Sequence, residues 1–149
     1  MPWRTKSWTG ALVPGLVFGL LVLFAAACGG DEAPPGARLA IDGDSFDLGS
    51  IETGQSVRRS IGFRNTGVAP LEVSIVKVRP APNAECGCGV ESFKVEPAAV
   101  PPGDSGEMVF ELKSPEGMEG MTDTMLAQLE SNDPTKPSLT IELTFEMGE

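Results

Sequence analysis

The stretch "LTIELTFEM", residues Leu139 to Met147, decides the fold. Leu139, Ile141, Leu143, Phe145 and Met147 alternate with Thr140, Glu142, Thr144 and Glu146. Successive side chains of an extended chain point to opposite faces, so the five apolar residues share one face and the polar set shares the other. A segment of this kind is a strand with one face on a core and the other in water.

The same pattern recurs towards the N-terminus. Met108, Phe110 and Leu112 form an inward row, with Glu107, Glu111 and Lys113 outward. Strands are expected at 37–41, 46–51, 57–64, 71–78, 93–96, 107–113, 124–130 and 139–147, seven to eight in all. Within 71–78 the phase changes between Ile75 and Val76, which predicts a bulge or a strand buried on both faces. The breaks carry turn residues. "RNTG" at 64–67 offers Asn65 and Gly67 for positive φ, "PPG" at 101–103 pairs a rigid entry with a permissive glycine, and "SNDPTKP" at 131–137 is a Pro-fixed loop. No stretch beyond residue 36 sustains a helical period, so the class is all-β, a sandwich of two packed sheets.

The first 27 residues read differently. Arg4 and Lys6 are followed by an uncharged run, Ala11 to Ala27, that ends in Ala25, Ala26 and Ala27 immediately before Cys28. Positive, apolar and small residues in this order make a secretory signal. A cysteine directly after the small residues resembles the lipobox of bacterial lipoproteins, in which that sulfur carries a diacylglycerol. Cleavage after Ala27 to release a soluble protein, or retention as an anchor interrupted by Pro14 and Gly15, are the other outcomes such a segment allows. One acyl chain holds weakly, so a lasting anchor at Cys28 needs several. Residues 28–36, small, acidic and Pro-rich, read as a tether, and 37–149 as one domain. The expected setting is a bacterial membrane surface outside the cytoplasm, periplasmic or at the cell surface, with membrane lipid as one partner through Cys28.

The composition excludes several functions. The chain has 149 residues and a formal charge of −10, and its leader holds basic but no acidic residues. So acidic a domain repels phosphate backbones, which argues against nucleic acid. There is no His, which removes Ser-His and Cys-His nucleophiles and imidazole ligands. No other hydroxyl has a visible activating base, so no catalytic residue is assigned. Asp42, Asp44 and Asp47 lie close in sequence but lack the glycine and terminal glutamate of an EF-hand, and read as an acidic turn.

Several local patterns occur in a fixed order: "FDLGSIETG" at 46–54, "FRNTG" at 63–67, "CGC" at 86–88, "PPG" at 101–103 and "SNDP" at 131–134. Together they resemble domain-of-unknown-function family 1573, a bacterial family of exported domains. The resemblance spans about residues 39–147. It implies an immunoglobulin-like antiparallel sandwich similar to PapD-like and ASH/HYDIN-like domains, and it implies no settled activity. The core Trp and the tyrosine corner of antibody domains are absent.

With Cys28 assigned to lipid, Cys86 and Cys88 are the remaining sulfur pair. In an extended segment residues i and i+2 share a face, so the pair can grip a soft ion such as Cu(I) or Zn(II). Four-coordinate zinc would need further ligands, for which Glu85 and Glu91 are the candidates, whereas Cu(I) accepts fewer and suits the thioethers of Met118 and Met121. Met125 alternates with Ala127 and Leu129 and reads as core. No cofactor is otherwise indicated, copper being the one alternative. A disulfide within the tripeptide requires the loop to bend, and a bond closing so small a ring suits exchange better than stapling. Three functions follow: a non-catalytic module that binds an envelope protein, a Cu(I)-handling protein, and a thiol-redox accessory. The first is favoured, because no catalytic constellation is visible.

Overall fold

The computed structural model describes residues 35–148. The leader, Cys28 and most of the tether lie outside the described residues. The strands are β1 (Leu39–Ala40), β2 (Ser45–Glu52), β3 (Ser56–Asn65), β4 (Leu71–Pro80), β5 (Val90–Glu96), β6 (Ala99–Val100), β7 (Ser105–Lys113), β8 (Thr122–Ser131) and β9 (Ser138–Gly148). They form two sheets, ordered β1-β3-β7-β5 and β2-β9-β8-β4-β6. The all-β immunoglobulin-like sandwich expected from the sequence is the fold. One pairing runs the other way from the rest: β2 lies parallel to β9. The short β6 is an addition to the expected strands.

The inward rows meet as their period requires. Ile141, Leu143, Phe145 and Met147 of β9 are fully buried, and so are Met108, Phe110 and Leu112 of β7 facing them. Met125, Ala127 and Leu129 complete the β8 row, so Met125 is a core residue. The phase change in β4 is a bulge. The register steps from Ile75–Leu129 to Lys77–Gln128, leaving Val76 unpaired and exposed while Val78 returns to the core side. Asp42 and Asp44 lie in an exposed turn before β2, whereas Asp47 is an exposed residue of β2 itself, its Oδ1 accepting the Gly49 N–H at 2.8 Å.

Two buried polar side chains fasten the ends of the strands. Asn65 has no exposed surface. Its Nδ2 donates to the carbonyls of Ala69 (2.8 Å) and Val100 (2.9 Å), and its Oδ1 accepts the N–H groups of Arg38 (3.3 Å) and Gly67 (3.0 Å). The expectation of positive φ at Asn65 and Gly67 is corrected, since neither adopts it. Asn65 is required for its amide. Gly67 is required for close approach, because a Cβ there would lie 2.6 Å from the Arg38 nitrogen.

Asp133, in the β8–β9 loop, is also buried. It accepts the Leu39 N–H (2.8 Å), the Thr135 N–H and hydroxyl (both 2.7 Å) and the Arg38 guanidinium (3.3 Å). Burial pushes its carboxyl up, but the Leu39 and Thr135 donors and the Arg38 charge outweigh it and hold the carboxyl below its usual range.

Candidate functional site

Cys86 and Cys88 lie in the β4–β5 loop and are joined by a disulfide, their Cα atoms 5.2 Å apart. The bend this needs comes from Gly87, at φ +64°, in the left-handed region where a side chain is disfavoured. The same glycine sits against Pro80, whose Cγ would be 2.5 Å from an added Cβ. Gly89 follows at φ +100° and lies against the Phe145 ring, 2.7 Å from an added Cβ. The loop therefore closes one end of the core, and its glycines allow it to approach that closely.

Beneath the loop lies Asp123. It continues the inward row of β8 beyond Met125 and is paired in register with Phe145, so it has no exposed surface. Its Oδ1 accepts the Gly87 N–H at 3.1 Å, and its Oδ2 accepts the Cys88 N–H at 3.0 Å. Cys86 Sγ is 3.5 Å from the same Oδ2 and 3.1 Å from the Cys88 nitrogen. In the disulfide this sulfur carries no proton, so its approach to Asp123 is a contact. In the reduced pair it becomes an S–H donor facing a carboxylate.

The sequence reading missed Asp123, although a signal was present. Extending the period-two row Leu129, Ala127, Met125 by one step places a carboxylate in a core position, and buried carboxylates require partners. The carboxylates and thioethers first considered are occupied elsewhere. Glu85 accepts the Thr122 N–H at 2.7 Å, and Glu91 faces Lys113 (3.7 Å) and Ser56 (3.3 Å). Met118 packs on the core, and Met121 is half-buried with its carbonyl accepting the Met147 N–H. One ligand atom each from Cys86, Cys88 and Asp123 lie within 4.8 Å of one another. Even so, the soft-metal reading is corrected for this state, because disulfide sulfurs offer no thiolate to a metal.

A second feature lies along β3. β1 covers only Arg64 and Asn65, so among the described residues no strand lies beside the outer edge of β3 from Ser56 to Phe63. Asn65 exchanges backbone bonds with Gly103 and Asp104 on the β7 side. By alternation, Ser60 and Gly62 point their N–H and C=O groups to the open side. A groove of about 570 Å³ runs along this edge, walled by Ile41 after β1 and by Phe46 and Leu48 of β2. Arg59 donates from Nε to the Leu48 carbonyl at 2.9 Å, tying β3 to β2.

Two packed sheets in this order form an immunoglobulin-like sandwich. The chain belongs to the family described as protein of unknown function (DUF1573), whose model matches residues 39–145. Among solved structures it is similar to the ASH/PapD-like domain 7 of human CEP192, at 14% identity and TM-score 0.53, covering 98% of this chain and 99% of that one. It is also similar to a protein of unknown function from Porphyromonas gingivalis W83, at 19% identity and TM-score 0.52, covering 75% of this chain. The match spans 47% of the Porphyromonas chain, about half its length. A comparison with the curated proteins finds no match.

Proposed function

We propose that the protein is an extracytoplasmic lipoprotein whose immunoglobulin-like domain binds, without catalysis, an extended segment of another envelope protein along β3. The observation that carries this reading is the open edge at Ser60 and Gly62 beside a groove of mixed lining, with Ile41, Phe46 and Leu48 next to Asp42 and Asp47. An unpaired edge offers main-chain bonds to an added strand, and neighbouring pockets select its side chains. The Cys28 lipid, on this reading, holds the domain at a membrane surface, and no cofactor takes part.

Gly62→Pro tests the edge. It removes one open-side N–H and leaves the bonds to β7 in place, so the domain should fold with less than about 1 kcal/mol lost. A photo-crosslinking residue at Ser60 in living cells should yield one discrete adduct, reduced about tenfold or more by Gly62→Pro. An adduct pattern unchanged by the proline removes the edge from the proposal. The anchor has a separate test in the mass of the membrane-extracted protein. Cleavage before a diacylated Cys28 also discards Trp3 and Trp8, so absorbance at 280 nm should almost vanish. A full-length mass with strong indole absorbance contradicts it.

A further inference from the structure

We propose that Cys86 and Cys88 form a thiol–disulfide exchange site in which Asp123 carries the proton of Cys86. The co-reactant is an exported protein dithiol. This chemistry lies apart from the β3 edge, and none of its variants touches that strand.

Three observations converge. Both cysteines are only half-buried, in a loop outside the sheets. The bond closes a ring between residues two apart, so it adds little to the stability of the fold. A carboxylate with no exposed surface sits 3.5 Å from one of the two sulfurs, and that sulfur also receives the Cys88 N–H at 3.1 Å. A structural staple needs none of this last arrangement.

The two sulfurs are therefore unequal. The Asp123 carboxylate repels an anion arriving at Cys86, which directs an incoming thiolate to Cys88. The partner's first thiol loses its proton and attacks Cys88 Sγ. A bond forms between partner and Cys88, the Cys86–Cys88 bond breaks, and the electron pair stays on Cys86 Sγ. The Cys88 N–H stabilises that sulfur, and Asp123 relays to it the proton the partner lost. The partner's second thiolate then attacks its own half of the mixed disulfide. Cys88 leaves with the electron pair and takes the second proton. Two electrons and two protons have passed, leaving the partner oxidised and the pair reduced. In reverse, Asp123 removes the proton from Cys86 as it closes on the mixed disulfide.

The test uses the full chain in detergent, with glutathione as the probe thiol. Reduced protein is mixed with oxidised glutathione, quenched at intervals by acid, and mapped by fragmentation mass spectrometry, which separates Cys86 from Cys88 and both from Cys28. The transient adduct is expected on Cys88. In Asp123→Asn, ring closure at pH 7 should slow about tenfold or more. The deficit should shrink towards pH 9, where solvent hydroxide ionises the Cys86 thiol unaided. A purely structural Asp123 predicts a loss independent of pH. Adduct on Cys86, or closure rates whose ratio to wild type is constant with pH, overturns the proposal. The adduct position in wild type decides the case if Asp123→Asn does not fold.

Discussion

Replacing Asn65 by Ala is expected to lower stability by about 4 kcal/mol, the largest effect of any single polar substitution considered in this domain. The side chain makes four hydrogen bonds at a site with no exposed surface. Its removal strands the carbonyls of Ala69 and Val100 and the amides of Arg38 and Gly67. These belong to the segment before β1, the β3–β4 turn and β6. Each buried group left unpaired costs about 1–3 kcal/mol, partly relieved where water enters. For a domain of this size the melting temperature should fall by about 20 °C. Far-ultraviolet circular dichroism is the suitable probe, because Trp and Tyr are absent from the described residues. Asn65→Asp is the control. It keeps the acceptor but turns an oxygen towards two carbonyls, and should be no better than Ala. A loss below about 1 kcal/mol in Asn65→Ala would show that the amide network does not hold these segments.

Asp133→Asn should cost about 2–3 kcal/mol at neutral pH, and that cost should depend on acidity. The carboxylate accepts four hydrogen bonds, and an amide in its place turns an NH2 group towards a donor. The folded-state carboxyl lies below its usual range, so the folded protein holds its proton less tightly than the unfolded chain. The resulting stability is fully present above the ordinary Asp range near pH 4 and is lost as pH falls through the lower folded value. Wild type should therefore lose stability on acidification faster than the variant, and the gap between them should narrow from pH 7 to pH 3. Paired urea titrations at several pH values measure this directly. A gap that stays constant with pH would mean the ionised state of Asp133 contributes nothing.

These two residues also show what can be read from sequence. "RNTG" and "SNDP" marked turns at the right places, and local composition is enough for that. The role of Asn65 is not legible locally, because a turn propensity carries no information about carbonyls as distant as Val100. The same holds at the candidate site. The cysteine pair is visible in the tripeptide 86–88, but its carboxylate stands 35 residues from Cys88 along the chain. Only the β8 row hinted at it, and that hint becomes readable once Met125 is known to point inward.

The class of fold, the inward row of each long strand, the β4 phase change and the positions of the turns are all legible from the residues alone. Each of these follows from side-chain alternation and turn chemistry, which act within a few residues. Which strands are neighbours emerges only on packing. It sets β2 parallel to β9, leaves the β3 edge uncovered from Ser56 to Phe63 among the described residues, and lays Cys86 and Cys88 over a buried Asp123. The physical reason is that strand order is settled by packing two apolar faces together across the whole domain, and the period of any one strand is compatible with many such orders.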